Sequence, residues 1–201
     1  MLSGILDYIF PKRCVNCKAL GDYLCANCFN FLSFDTKSLC LVCKKQSLNG
    51  LTHKNCKKKY TIDGCFSAVR YNYIARKLIY NFKNKPYILD LQNFLSELFY
   101  ESLIQSEEFM KLIQKDKWVF VPIPVSKATF RKRGYNQAEI LAKNLSRKFK
   151  IRVFEIDQLD KNISNVFLID DFVKTGLVLK KTTELLKKKG IEKAYGLTLA
   201  G

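Results

Sequence analysis

Histidine, acidic side chains and long apolar runs are what this 201-residue chain has little of. No uncharged apolar stretch approaches the roughly 20 residues needed to cross a bilayer, so a membrane-spanning helix is excluded. The start, Met1 to Phe10, is apolar, but its basic residues Lys12 and Arg13 come after it. That is not the layout of an export signal, and a cytoplasmic location is expected. Asp and Glu number 18 against 35 Lys and Arg, a net charge of +17. The excess favours a polyanion, such as nucleic acid or a phosphorylated metabolite, over an acidic protein partner. A lysine-rich solvated surface gives the same excess, so charge alone does not choose. The only histidine, His53, gains its meaning from the cysteines around it.

Seven of the eight cysteines fall within the first 56 residues, as Cys14-x2-Cys17, Cys25-x2-Cys28, Cys40-x2-Cys43 and, with the histidine, His53-x2-Cys56. A C-x2-C turn points two thiolates at one metal, and two such turns complete a tetrahedral zinc site. In a reducing cytosol this spacing reads as metal ligation rather than as a disulfide framework. Four pairs make two sites. Local pairing joins Cys14, Cys17, Cys25 and Cys28 on one zinc, and Cys40, Cys43, His53 and Cys56 on the other; an interleaved pairing remains open. So short a segment cannot fold on apolar burial alone, and zinc would supply roughly 10–16 kcal/mol per site. Such a ribbon either contacts nucleic acid or a partner, or acts as a structural clip. Cys65 stands outside the pattern and reads as a buried strand thiol.

From about Ile62 the pattern becomes strand–helix alternation, which predicts an α/β domain with a mainly parallel sheet. Phe66 to Tyr71 reads as a strand. Ile74, Leu78, Ile79 and Phe82 recur at helical spacing, with Arg76, Lys77 and Lys83 assigned to the outer face. Lys83-Asn84-Lys85-Pro86 breaks that helix, and Ile88 to Leu112 holds one long helix or two. Trp118 to Val121 is a buried strand, followed by a basic loop from Val125 to Gly134 and a helix from Asn136 to Phe149. Ile151 to Phe154 is a short strand, Val166 to Ile169 the central one, and Ala194 to Leu199 the last. The expected domains are therefore 1–60 and 61–201.

Asn165-Val166-Phe167-Leu168-Ile169-Asp170-Asp171-Phe172-Val173-Lys174-Thr175-Gly176 carries the clearest chemistry. Four apolar residues end in two carboxylates, then a Lys-Thr-Gly loop, then helical spacing at Val178, Thr182, Leu185 and Leu186. In an open α/β sheet, ligands sit beyond the carboxyl ends of the strands. A helix N-terminus favours phosphate, and two carboxylates suit ribose hydroxyls, directly or through a divalent cation. The pattern thus reads as a ribose-phosphate cradle, the plainer alternative being a βα turn in which Asp171 caps a helix.

Taken together, the cysteine pairs, Leu78-Ile79 with Phe82-Lys83, Val121-Pro122-Ile123-Pro124, the run Arg131-Lys132-Arg133-Gly134-Tyr135-Asn136-Gln137-Ala138-Glu139 and the Asp170-Asp171…Thr175-Gly176 stretch resemble the ComF family of competence-associated proteins. The resemblance spans nearly the whole chain. It implies a double zinc ribbon fused to a type I phosphoribosyltransferase-like domain. By that likeness Asp170 and Asp171, the pair also counted as catalytic, hold the ribose hydroxyls of phosphoribosyl pyrophosphate (PRPP). Phe172, Val173, Lys174, Thr175 and Gly176 seat the 5-phosphate, and Pro122, Ile123 and Pro124 mark the pyrophosphate turn. Arg131, Arg133, Asn136 and Gln137 stand at the mouth of the site, or pack the loop on its helix. Mg²⁺ would bridge pyrophosphate and ribose oxygens.

The chain departs from the family in two respects. Lys174 and Val178 replace threonines of the phosphate loop, and only Lys150 to Asn165 separates the preceding helix from the central strand, where the family has a long polar segment. Loss of that segment favours PRPP binding without transfer. The leading expectation is a cytoplasmic protein that handles single-stranded DNA during uptake, beside the DNA-uptake machinery. The alternatives are an active phosphoribosyltransferase acting on a base or amine, and an adaptor without chemistry that docks through its zinc ribbon.

Overall fold

The computed structural model describes residues 11–36, 38–84 and 89–201. The apolar start and the break at Lys85-Pro86 lie outside the described residues. Within them, four strands form one sheet, β1 (Gly64–Val69), β2 (Val119–Pro122), β3 (Asn165–Phe172) and β4 (Lys193–Ala200), in the order β1-β4-β3-β2. Every pairing is parallel. β3 runs near-continuously apolar because both its faces are covered, as parallel strands in an α/β protein require. Its Val166 to Ile169 are wholly buried.

The two faces have separate cores. On one, α2 (Tyr73–Asn84), α3 (Leu89–Ile104), α4 (Glu107–Lys115) and α6 (Gln137–Phe149) gather around Phe167, Phe120 and Phe109. Phe167 lies against Trp118 at 4.2 Å between ring centres, stacked at 23°. On the other face α7 (Leu177–Lys188) packs Leu179 and Leu186 against Val166 and Leu168. Asp63 ties the start of the domain to this layer, accepting from Lys187 Nζ at 2.7 Å and from the Ala194 amide at 2.9 Å.

Among its described residues the N-terminal segment carries little regular structure: α1 (Ala26–Phe29) and the 3-10 turns Leu48–Gly50 and Lys54–Cys56. Its two halves are built on one plan. In each, the amide of the residue after the second cysteine returns to the first cysteine's carbonyl, Lys18 to Cys14 at 3.0 Å and Lys44 to Cys40 at 2.8 Å. Both lysines adopt left-handed backbone, φ 68° and 63°. The first ribbon buries Val15, Leu24 and Leu32 in the α2/α3 core, and the second buries Leu41 in the α7 core. The pair therefore grips the sheet from both sides.

Two expectations change and one open alternative is decided. The basic loop from Val125 to Gly134 contains a short helix, α5 (Lys127–Arg133), because Ser126 accepts from the Thr129 amide and Gly134 closes it at φ 80°. Ile151 to Phe154 is no strand but a single bridge of Val153 to Phe120, after which the chain turns into the 3-10 segment Ile156–Gln158. Of the one helix or two expected over Ile88 to Leu112, the described residues from Leu89 on form two, α3 and α4, restarted by Ser106, whose hydroxyl accepts from the Phe109 amide. Cys65 is a buried strand thiol on β1, and burial first of all pushes it up to about 12.

Candidate functional site: two metal clusters and an acid-tipped cavity

The eight metal-type ligands fall into two groups in chain order, Cys14, Cys17, Cys25, Cys28 and Cys40, Cys43, His53, Cys56, the donor atoms of each within 4.8 Å of one another. Tetrahedral zinc with Zn–S of about 2.3 Å places sulfurs roughly 3.7 Å apart. Cys17 and Cys25 Sγ are 3.6 Å apart, and Cys43 Sγ is 3.3 Å from His53 Nδ1. His53 Nε2 lies 2.9 Å from the Gln46 carbonyl. Donating there fixes the tautomer and leaves the Nδ1 lone pair for metal.

The thiols themselves call for a cation. Burial opposes ionising Cys14, yet the backbone amides of Cys25, Cys17 and Asn16 outweigh it and bring the thiol down to about 6. The Cys28 amide favours a thiolate at Cys25, but the neighbouring thiols, Cys17 foremost, drive it up to about 11. Burial and the Cys43 and Cys40 thiols do the same to Cys56. One thiolate per cluster is stabilised and the next is resisted, a conflict that a dication removes. Both clusters fit Zn²⁺.

Beyond the carboxyl ends of β2 and β3 lies a cavity of about 390 Å³. Asp170 and Asp171 line it, with Phe172 to Gly176, Ile123, Pro124, Arg133, Asn136 and Gln137. Two candidates fall elsewhere. Pro122 ends β2 beneath the cavity, and Arg131 lines a neighbouring groove with Phe130 and Glu155. Arg131 does not join the acids because α5 turns successive side chains to different sides, and Pro122 stays within the buried strand β2.

The two acids sit in unlike surroundings, since alternate residues of a strand face opposite ways. Asp171 is buried, and Lys83 Nζ stands 2.6 Å from its Oδ2, an ion-pair distance at an angle that misses a directed hydrogen bond. Lys83 is therefore not on the outer face of α2 as its spacing suggests; it belongs to the acid site, lying 4.4 Å from the centre of the Phe172 ring. Asp170 accepts from the Asp171 amide at 2.8 Å. Burial first, and the charge of Asp171 second, push the Asp170 carboxyl up to about 7.

Gly176 caps α7 in the left-handed conformation, φ 64°. Lys180 is the first helix amide to find a carbonyl, that of Gly176, and the Leu177 amide reaches only the Thr175 hydroxyl at 3.3 Å. Among the described residues, no group accepts from the amides of Thr175, Gly176, Val178 and Leu179. The helix cap is Gly176, so Asp171 does not cap α7. Across the cavity, Arg133 Nη1 holds Gln137 Oε1 at 3.2 Å, while Gln137 Nε2 is buried without a partner. A buried orphan donor on a cavity wall is costly unless a ligand accepts from it. Asn136 is committed to the scaffold, donating to the Ile123 carbonyl at 3.1 Å and accepting from the Ala138 amide at 3.1 Å.

The double zinc ribbon domain model matches residues 5–58. No curated protein matches the chain. A ribbon of this kind suits contact with nucleic acid or with protein. No described helix is long and apolar enough to cross a membrane.

Two outcomes follow from these geometries. Elemental analysis of protein purified without chelator is expected to return two zinc per chain, falling to one in Cys25→Ser/Cys28→Ser; a value below one in the unaltered chain overturns the two-cluster geometry. The folded Asp170 carboxyl titrates above its ordinary range, so its stabilising contribution is complete below pH about 4 and is lost as pH climbs through about 7. Asp170→Asn mimics the protonated acid. Its melting-temperature advantage over the unaltered chain is expected to grow from pH about 4 to about 7 and then level; a constant difference contradicts the burial account.

Proposed function

We propose that the cavity at the end of β3 binds a phosphorylated ribose of the PRPP type, and that the chain is a ComF-like protein with a phosphoribosyltransferase-like α/β domain at 61–201 following a ribbon module at 1–60. The observation that carries this is the convergence on one cavity of the two acids, free amides at the start of α7 and the unpartnered Gln137 amide. The amides of Thr175, Gly176, Val178 and Leu179 suit a terminal phosphate. Asp170 suits the ribose hydroxyls, and Gln137 Nε2, aimed by Arg133, suits a further phosphate or ribose oxygen. Lys83 neutralises Asp171 and keeps two adjacent carboxylates from repelling an anion. Mg²⁺ belongs to this reading as an ion carried chiefly on the ligand's own oxygens, supplying charge compensation for a pyrophosphate.

Binding without turnover is the reading the fold favours. Between α6 and β3 the chain offers one bridge and a 3-10 turn, with no segment long enough to close over the cavity. Water exclusion of the kind group transfer needs has no provider there.

A second observation favours handling of single-stranded DNA in the cytoplasm, as an aid to its uptake. Tyr73, Arg76, Lys77 and Tyr80 share one exposed face of α2, with Lys77 Nζ 4.3 Å from the centre of the Tyr73 ring. The first ribbon extends this face: Lys77 donates to Asn16 Oδ1 at 3.1 Å, and exposed Phe31 accepts from Asn72 through its carbonyl. Cations interleaved with flat rings suit a sugar–phosphate strand with stacking bases. An adaptor that docks only through its ribbon is set apart by leaving this face and the cavity without ligand.

Calorimetry with PRPP and Mg²⁺ is expected to show one saturable site, weakened about tenfold by Gln137→Leu and without pyrophosphate release. Absence of binding in the unaltered chain overturns the sugar-phosphate reading, and stoichiometric pyrophosphate release replaces it with a transferase. Single-stranded oligonucleotide affinity is expected to fall steeply with salt, the slope of log affinity against log salt shrinking by about 0.7 for each cation removed in Arg76→Gln and Lys77→Gln. A salt-independent affinity contradicts the electrostatic account.

A further inference from the structure

The second ribbon touches the phosphate loop through Leu41 and Lys44, and among the described residues no hydrogen bond joins the first ribbon to that loop. Leu41, between the ligands Cys40 and Cys43, is buried among Leu168, Leu179 and Val173. A Cβ placed on Gly176 would stand 3.0 Å from Leu41 Cδ1 and 3.1 Å from Cδ2, so loop and knuckle are in direct contact where the backbone is left-handed. Lys44, the residue after Cys43, donates from Nζ to the Thr175 carbonyl. Lys44 lines a second cavity of about 340 Å³ on the far side of Val173 and Lys174, not the acid cavity. The carbonyl and the N–H of one peptide plane point opposite ways. Drawing the Thr175 carbonyl out toward the ribbon therefore turns the Gly176 N–H inward, where a phosphate would sit.

We infer that Leu41 and Lys44 are positioning residues of the sugar-phosphate site: the second metal knuckle holds the loop Val173–Gly176 in the shape that presents its amides, so metal at Cys40, Cys43, His53 and Cys56 and a sugar phosphate in the cavity reinforce each other. The ligand half of this rests on the reading of that cavity given above. The knuckle can act this way because its own shape is set by ligation. Cys40 and Cys43 fix the turn, the Cys40 amide returns to the Lys45 carbonyl at 3.0 Å, and left-handed Lys44 projects from the closed end. The first knuckle is the internal control. Lys18 has the same backbone and position, yet its Nζ reaches only the Val15 carbonyl of its own turn, at 3.4 Å.

Hydrogen exchange on the zinc-loaded full chain tests the clamp, read at the amides of Lys180, bonded to Gly176, and Val173, bonded to the Ala200 carbonyl. Lys44→Met, a surface change that keeps both metals, is expected to speed exchange at Lys180 about fivefold, Leu41→Ala to do so more strongly, and Lys18→Met to leave it unchanged. The same Lys44→Met chain is expected to bind ribose 5-phosphate about tenfold more weakly, and ribose 5-phosphate to slow chelator capture of one of the two zinc ions, by linkage. Equal exchange in Lys44→Met, Lys18→Met and the unaltered chain overturns the clamp. If the unaltered chain takes no ribose 5-phosphate, the sugar-phosphate reading falls on its own, and the exchange result still decides whether the knuckle holds the loop.

Discussion

A parallel strand paired on both edges and covered on both faces has one place for charge, its carboxyl end. β3 is such a strand, and everything chemical in the α/β part of the chain hangs on that restriction. Along Asn165–Ile169 side chains alternate between two apolar cores and tolerate no ion. At Asp170 and Asp171 the sheet runs out, and the same alternation now sends two carboxylates to different sides. One is met by Lys83 from α2, and the other is left to burial and a backbone amide. Their unlike surroundings are thus a product of sheet geometry before they are a product of function.

The ribbons solve the opposite problem. They have too little apolar surface to fold alone, and metal ligation replaces a core. Once closed, each knuckle still has an apolar residue between its cysteines, Val15 in one and Leu41 in the other, and each is buried against a different face of the sheet. One small turn, present twice, makes two anchors with different neighbours. The second meets a loop that borders a cavity.

The sequence made the ligand pairs, the alternation of strands and helices along the chain and the acid-tipped β3 legible, because each rests on local spacing. C-x2-C, a short apolar run ending in Asp-Asp, and a glycine before a helical pattern are patterns a linear reading can weigh. The failures are of another kind. Lys83 has an outer-face spacing on α2, but the carboxylate of Asp171, far along the chain, draws it inward. The helix Lys127–Arg133 hid in a basic stretch because its start and stop depend on the Ser126 cap and Gly134 rather than on apolar periodicity. Ile151 to Phe154 has strand-like residues and only one partner position, since the chain must turn at once toward β3. Leu41 and Lys44 carry no local signal, because their contacts are with residues more than a hundred positions away.

Cys65 sits buried on β1, its sulfur so near Gly196 that a Cβ there would come within 2.9 Å. With a thiol held near 12 it carries almost no thiolate at neutral pH, and thiolate is the species that electrophiles attack. The remaining seven cysteines are all placed to ligate metal. An alkylating dye applied to the native protein is therefore blind to the fold's interior, and its uptake is a direct count of ribbon sites that have lost their ion.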